Sequence, residues 1–411
     1  MALSESQAGG STSSYTVKPG RFDSGERLLR RSAAVVMLLL LLSGELGSIW
    51  DREWHFFVGR DQFWTPPHTL IYLSVAGAGL LALSIVIADT VRYFKGTPGV
   101  DDASTVCIFK VFHAPLGFII AGFGALQALV AAPLDNYWHN LYGIDIALWA
   151  PFHMMGVIGG VIGGLGMVYI FASEAAVERE AGYPYHLYLG LSWLEWGALL
   201  ILAGLMNFTL IGFLQFPVAT FGLLQIPTYP LPIAACGALT LIGAIRLTHK
   251  PGSATLTVLL LAFHTVLEEL FVPWAIRTAV IQQGMSYRIP GTIPYFNATD
   301  AWLPLLFITS ALIVDGVALW RQRRGYKLGG YTRGVWLLGV IITLPQLIIA
   351  PCLLSGSLNV PQVFLAQNGV ELPPELKLQA ALIAVPIILA FGVIGAIAGA
   401  NFGDIWRWNR R

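Results

Sequence analysis

Ten mostly apolar stretches, each long enough to cross a lipid bilayer, divide the sequence. A membrane-spanning helix needs about 20 apolar residues, because the hydrocarbon core of a bilayer is about 30 Å thick. Only helices and closed barrels satisfy every backbone hydrogen bond at that depth. The sequence therefore predicts an all-α fold, a polytopic membrane helical bundle of about ten transmembrane helices. The predicted spans are residues 33–55, 66–91, 104–133, 148–174, 189–214, 228–247, 254–275, 301–320, 334–356 and 378–403.

The composition supports a chain that is surrounded by lipid. Hydrophobic residues make up 56% of the sequence and charged residues only 11%, whereas soluble domains carry about 25% charged residues. Most side chains are therefore expected to face the lipid bilayer or other helices. The net charge of +1 gives no indication of a nucleic-acid partner.

The two ends of the chain and the distribution of positive charge predict an orientation. Residues 1–31 are rich in serine and glycine and end in Arg27, Arg30 and Arg31, which predicts a disordered cytoplasmic tail. Lys and Arg are concentrated at one set of span ends, and such ends usually lie in the cytoplasm. We therefore expect an integral protein of the bacterial inner membrane with both termini cytoplasmic. The remaining chain divides into a four-helix unit, 32–175, and a six-helix membrane unit of unknown role, 176–411.

One sequence block occurs twice in the four-helix unit. Residues 51–68 read DREWHFFVGRDQFWTPPH, and residues 135–153 read DNYWHNLYGIDIALWAPFH. Both contain D-x2-W-H-x3-G-x-D followed by W-x-P-x-H, with one extra residue in the second copy. The two blocks hold four of the eight histidines in the chain. A chance match of rare residues at matched spacing is a poor explanation, so the block is interpreted as a repeated two-helix hairpin.

Helix spacing gives each block a predicted geometry. Asp51 and His55 are four residues apart and therefore share one face at the end of the first helix. Gly59 permits a turn, Pro66 suits the start of the next helix, and His68 follows in its first turn. Each hairpin should gather one carboxylate and two imidazoles around a metal ion. The predicted ligands are Asp51, His55, His68, Asp135, His139 and His153.

Two further aspartates belong to the repeat. Asp61 and Asp145 are interpreted as partners that orient an imidazole N–H of a ligand histidine, and the alternative is that they cap helices.

Two helices separate the copies of the repeat, so both clusters should lie at the same outer face of the membrane. Whether they form two mononuclear sites or one dinuclear site is left open by the sequence.

Two histidines with one carboxylate are compatible with copper, non-heme iron or zinc. The Asp-x3-His-x12-His spacing of Asp51, His55 and His68 resembles the metal site in the C subunit of the copper membrane monooxygenases, the particulate methane and ammonia monooxygenase family. That subunit has a second site with thirteen residues between its histidines and Asn in place of Asp. The second cluster here has the same histidine spacing, with Asp135 where the family has Asn. The resemblance covers residues 33–174.

The resemblance implies a copper cofactor, with non-heme iron and zinc as alternatives. It also implies dioxygen as the oxidant and oxidation of a small apolar substrate in a complex of several membrane subunits. A homo-oligomer is the alternative to such a complex. The sequence has no evident electron-entry motif, so reducing equivalents are expected from a quinol or a protein donor. The last six predicted helices show no such resemblance.

Ionisable groups at bilayer depth are costly and often functional. His264, Glu268 and Glu269 lie in the seventh predicted span, Asp315 in the eighth and Glu45 in the first. They are interpreted as a third metal site or a proton path, and the alternative is a structural cluster of paired groups.

Three functions are compatible with these features. The first is a membrane metal oxidase or monooxygenase, or its metal-bearing subunit. The second is a membrane transporter or metal-handling protein that uses the intramembrane His, Glu and Asp groups. The third is a structural subunit whose Asp/His clusters hold helices together.

Overall fold

The computed structural model of the protein describes residues 24–59, 62–97, 104–143, 150–180, 188–213, 218–221, 224–329, 333–357 and 374–406. Within these ranges the chain is almost entirely helical. Its helices are α1 (Ser24–Phe57), α2 (Pro66–Phe94), α3 (Leu116–Tyr142), α4 (Pro151–Glu180), α5 (Trp193–Phe213), α6 (Pro230–Thr248), α7 (Ser253–Gln282), the short α8 (Ala298–Ala301), α9 (Leu305–Arg323), α10 (Val335–Ser357) and α11 (Pro374–Trp406).

The helix lengths confirm the predicted fold class. In the described ranges, nine helices are long and apolar enough to cross a membrane, and α10 contributes a shorter apolar stretch, Val335–Ala350. Many large apolar side chains on these helices are exposed on the outside of the bundle, which is favourable only where lipid replaces water. The protein is therefore an all-α polytopic membrane bundle.

The N-terminal boundary of the first helix differs from the prediction. Because α1 begins at Ser24, the expected disorder of residues 24–31 is wrong; residues 1–23 lie outside the described part. The helix extends this far because Arg30 is buried rather than solvated. Its guanidinium lies 2.6 Å from Glu26 of the same helix and 3.0 Å from Asp89 of α2.

The third predicted span begins too early. Residues 104–115 form a two-stranded antiparallel hairpin, β1 (Thr105–Ile108) and β2 (Phe112–Pro115), and α3 starts only at Leu116. Pro115 occupies the N-cap position. A proline is tolerated at the start of a helix, where its missing N–H needs no partner within the helix, and the preceding residues are paired as strands instead. A second hairpin, β3 (Val218–Phe221) with β4 (Leu224–Pro227), lies between α5 and α6.

Two large apolar cores and two smaller clusters hold the described helices together. The first large core contains residues of α1 to α6, including Met37, Phe118 and Phe171. The second contains residues of α5 to α7 and α9 to α11, including Met206 and Phe307. Helices α5 and α6 contribute to both large cores, so they join the repeated hairpins to the rest of the bundle.

Helices α3 and α4 approach each other through glycine. A Cβ atom at residue 124 would lie 2.5 Å from the carbonyl oxygen of Gly159 and 2.8 Å from the Cα of Gly163. Small residues at such positions let two helix backbones come into direct contact, which is how many membrane helices associate.

Replacing Gly124 with alanine is expected to lower the free energy of unfolding by about 1–3 kcal/mol, because the added methyl group meets backbone that cannot rotate away. Gly160 is the matched control: a Cβ atom there would meet nothing closer than Phe208 at 3.9 Å. Thermal unfolding of both variants in the same detergent measures the difference. Equal stability of Gly124→Ala and Gly160→Ala would contradict the packing described here.

Candidate metal centres

The first hairpin brings its three predicted ligands together. Asp51 and His55 lie in the last two turns of α1, and His68 lies in the first turn of α2. Gly59 ends α1 with a φ of +73°, the left-handed conformation that glycine adopts at helix ends. The carboxylate oxygens of Asp51 lie 3.6 Å from Nε2 of His55 and 3.1 Å from Nε2 of His68.

The second hairpin repeats this arrangement. Asp135 and His139 lie near the end of α3, and His153 lies in the first turn of α4. Gly143, with a φ of +88°, follows α3 as Gly59 follows α1. Oδ2 of Asp135 lies 3.3 Å from Nε2 of His139 and 3.1 Å from Nε2 of His153. All six predicted ligands are thus gathered into two groups of three.

Contacts on the outer side of two imidazoles define which nitrogen faces the carboxylate. Nδ1 of His68 lies 3.0 Å from the carbonyl oxygen of Gln62, and Nδ1 of His139 lies 3.3 Å from that of Gly143. A carbonyl oxygen only accepts, so each Nδ1 carries the hydrogen and Nε2 faces the aspartate. An Nε2 lone pair facing a carboxylate is repulsive unless a proton or a metal ion lies between them. Metal-bound histidines usually make this outer contact.

The spacing of the donor atoms fits a metal ion. Ligands about 2.1 Å from a tetrahedral metal lie about 3.4 Å from one another, and the Asp–His distances here are 3.1–3.6 Å. In the second cluster, Oδ1 of Asp135 is buried and accepts no hydrogen bond from the described residues. Among the described residues, these two clusters are the groups of at least three His, Cys, Asp or Glu side chains whose donor atoms converge. Three protein ligands also leave a coordination position open.

The two aspartates that were expected to orient the imidazoles, Asp61 and Asp145, lie outside the described residues. Their assignment stays a prediction. In the described part of the chain, backbone carbonyl groups make this contact to His68 and His139 instead.

Both clusters face one cavity. Its volume is about 330 Å³, and it lies between α1, α2, α3, α4 and α5; ligand pockets in proteins measure roughly 300–1,000 Å³. Asp51, His55 and His68 reach it from one cluster, and Asp135 and His153 from the other. The rest of the wall is mostly apolar and rich in small residues, among them Met37, Leu40, Gly124, Ala125, Gly160 and Met167.

Three of the five ionisable residues that were predicted at bilayer depth lie together. Nδ1 of His264 is 2.8 Å from Oε2 of Glu45, and Glu268 is joined to the same glutamate through the amide of Asn207. Glu45 also lines the cavity. These four side chains come from α1, α5 and α7, and we call them the Glu45 network.

The other two predicted residues lie elsewhere and have structural partners. Glu269 accepts a hydrogen bond of 2.9 Å from the backbone N–H of Asn297. Asp315 of α9 accepts hydrogen bonds from the backbone N–H groups of Gly252, Ala254 and Thr255 at the start of α7. A carboxylate there satisfies N–H groups that have no partner within the helix and interacts favourably with the helix dipole. Asp315 therefore caps α7, about 14 Å along the helix from His264 by helix rise.

Asn207 belongs to the Glu45 network, although it was not among the residues predicted from the sequence. It is fully buried in α5, a helix whose sequence is otherwise mostly apolar. A carboxamide within a membrane span is itself a signal, because polar groups at that depth need partners. Gly204, one turn earlier, also belongs to the site, since a Cβ atom there would lie 2.9 Å from Cε1 of His264 and 3.0 Å from Oε2 of Glu45.

The arrangement offers two three-ligand sites for cations, each near an open coordination position, on the wall of one mostly apolar cavity. The chain matches no protein-family model, no curated protein and no solved structure.

Proposed function

We propose that the protein is a membrane-embedded metal-dependent oxidase or monooxygenase, or the metal-bearing subunit of one. Its substrate is a small apolar molecule, and its oxidant is dioxygen. One observation carries the proposal: both Asp/His/His clusters face the same mostly apolar cavity inside the bundle. A site that only held helices together would have no need of a cavity beside it.

Different residues of the chain would bind the metal ions and the substrate. Asp51, His55 and His68 hold one ion, and the second cluster, built on Asp135, holds the other. A transition metal with an open position supplies the ability to activate dioxygen. The apolar walls bind the substrate by excluding water from it, and they also keep water away from reactive oxygen species.

Copper is the proposed cofactor, because the spacing of both clusters resembles that of the copper membrane monooxygenases. Non-heme iron and zinc are the alternatives that imidazole and carboxylate ligands also suit. The proposed reaction needs electrons from a quinol or a reduced protein, and therefore a partner, other membrane subunits or a second copy of the chain. We also propose that the clusters face the outer side of a bacterial inner membrane, with both termini in the cytoplasm.

Metal handling or transport is the second candidate. The observation that favours it is Glu45, an acidic side chain on the cavity wall that connects to polar groups on α5 and α7. The separate positions of Glu269 and Asp315 remove two of the five residues through which such a path was expected to run.

Purified protein loaded separately with copper, iron or zinc tests the proposal. We expect about two ions per chain, one for each cluster, and dioxygen-dependent hydroxylation of an apolar probe such as hexane when a quinol is supplied. Protein that binds no stoichiometric metal would overturn the proposal. Protein that binds metal, consumes no dioxygen and moves the ion across a liposome membrane would establish the second candidate.

A further inference from the structure

The Glu45 network places four polar side chains deep inside the bundle. Glu45 is 8% exposed, Asn207 0%, His264 2% and Glu268 5%. Charges at bilayer depth are costly unless they are paired or neutralised. The network must therefore reach a protonation state with little net charge.

The hydrogen positions at His264 follow from its two contacts. Nε2 lies 3.0 Å from the carbonyl oxygen of Leu200, which only accepts, so Nε2 carries a hydrogen. Nδ1 lies 2.8 Å from Oε2 of Glu45, a distance that requires one proton between the two atoms. The imidazole and the carboxyl group therefore share a proton that either atom can hold.

Asn207 connects this pair to a second acid. Its Nδ2 group lies 3.0 Å from Oε1 of Glu45 and 2.7 Å from Oε1 of Glu268, so both amide hydrogens are used. With neutral His264, the two ionised carboxylates would give a charge of −2. One proton shared by Glu45 and His264 and one proton on Glu268 bring the charge to zero. Neutrality thus requires the network to hold two exchangeable protons.

The network borders the cavity through Glu45. Glu45 lies six residues before Asp51 on α1, which is about 9 Å of helix rise. The charged side chains that also act on Glu268 are Arg52 of α1 and Glu269 of α7. No residue of the network belongs to either Asp/His/His cluster, so it is a separate polar site on the same cavity.

We propose that the Glu45 network is a proton-exchange site that supplies the cavity with protons. Its role in turnover rests on the proposed function. Hydroxylation of a substrate RH consumes dioxygen, two electrons from the quinol or protein donor and two protons, and gives ROH and water. The O–H bond of Glu268 and the bond to the hydrogen shared by Glu45 and His264 break. Two protons then reload the network; they are released when the quinol is oxidised or, with a protein donor, are taken up from the bulk solvent. The number of stored protons equals the number that one turnover uses.

Infrared difference spectroscopy of the full-length protein tests the site without any need for turnover. The wild type should show the carbonyl stretch of a buried protonated carboxylic acid, shifted in D2O and titrating with pH. Glu45→Gln and Glu268→Gln should each lose part of this band. Glu269→Gln is the matched control on the neighbouring residue of the same helix; it should keep the band, because glutamine can still accept the Asn297 hydrogen. A wild-type spectrum without the band, or one unchanged in Glu45→Gln and Glu268→Gln, would overturn the proposal.

Glycine 204 provides a second test of the same geometry. Gly204→Ala places a methyl group against both His264 and Glu45 and should remove the contribution of the shared proton to the band. Gly160→Ala adds a methyl group to the same cavity at 3.9 Å from its nearest neighbour and should leave the band unchanged. An unaltered band in Gly204→Ala would contradict the shared proton.

Turnover measurements distinguish the proton-exchange proposal from the proposed function. Glu45→Gln should keep its full metal content and lose about 100-fold in dioxygen-dependent turnover, with a larger solvent isotope effect, as expected when a positioned proton donor is removed. Glu269→Gln should keep wild-type turnover. If the wild type binds no metal, the proposed function fails while the infrared experiment still decides the proton site. Normal turnover in Glu45→Gln would contradict the proposal that the Glu45 network supplies protons to the cavity.

Discussion

His55→Ala and His139→Ala are each expected to remove about one metal ion from every chain, while the other cluster keeps its ion. Each substitution removes one of three protein ligands from one group. Losing even the outer hydrogen-bond partner of a ligand weakens metal binding about 10–100-fold, so losing the ligand itself should cost more than about 100-fold. Elemental analysis after dialysis against a fixed low concentration of free metal measures the content. The double variant should contain no stoichiometric metal.

His113→Ala is the matched control for these variants. His113 lies in the β1–β2 hairpin, where its ring stacks on Tyr93 at 3.6 Å between ring centroids, and it lies outside both clusters. The His113→Ala variant should retain the metal content of the wild type. Loss of both ions from either single variant would indicate one dinuclear site. Full metal content in His55→Ala and His139→Ala would refute both candidate centres.

Arg30→Ala is expected to lower the free energy of unfolding by about 3–5 kcal/mol, because it removes the buried cation closest to two buried carboxylates. Arg92 lies 3.4 Å from the other carboxylate oxygen of Asp89 and is more exposed, so it compensates only part of this loss. Arg30 is 2% exposed, and its partners Glu26 and Asp89 are 2% and 1% exposed. The guanidinium joins α1 to α2 through Nε and one terminal nitrogen, both 3.0 Å from Asp89. Denaturant or thermal unfolding in detergent measures the loss.

An apolar replacement of the whole group distinguishes a lost ion pair from a lost side chain. Combining Arg30→Met with Glu26→Leu and Asp89→Leu removes both buried carboxylates together with the guanidinium, and such replacements of buried ion pairs are often neutral or stabilising. We expect the triple variant to recover most of the stability that Arg30→Ala loses. Wild-type stability in Arg30→Ala would show that the buried ion pairs contribute nothing to the fold.

The structure gives the second half of the chain a part in the candidate site. The resemblance to the copper membrane monooxygenases covers residues 33–174, yet α5 lines the cavity with Gly204, Leu205 and Phe208. Helix α7 supplies His264 and Glu268 to the Glu45 network. The proposed proton-exchange site is therefore assembled from helices on both sides of the expected boundary at residue 175.

The local parts of the candidate site were predictable from the sequence. A four-residue separation places Asp51 and His55 on one face of a helix whatever surrounds it. Gly59 permits the left-handed turn after α1, and Pro66 suits the first position of α2. These are properties of a few neighbouring residues, so the two Asp/His/His groups were found at the expected positions.

The misplaced boundaries had causes that hydropathy does not register. Residues 104–115 were assigned to a span, but they pair with one another as a β-hairpin that ends at Pro115, the N-cap of α3. Residues 24–31 looked like a charged tail. However, Arg30 forms a buried hydrogen bond with Asp89, more than fifty residues away in the sequence, and this contact holds the segment against α2. Asp315 looked like an intramembrane proton carrier, but the start of α7 supplies three N–H groups to it.

The sequence by itself determined that this protein is a membrane helical bundle and that its repeated hairpins each collect one aspartate and two histidines. Both results follow from the need to satisfy backbone hydrogen bonds in lipid and from the fixed geometry of a helix and a turn. Only the tertiary structure decided that the clusters share a cavity, and that Glu45, Asn207 and Glu268 meet beside it. These contacts join residues 61 and 162 positions apart, and their formation depends on how whole helices pack, which no local pattern encodes.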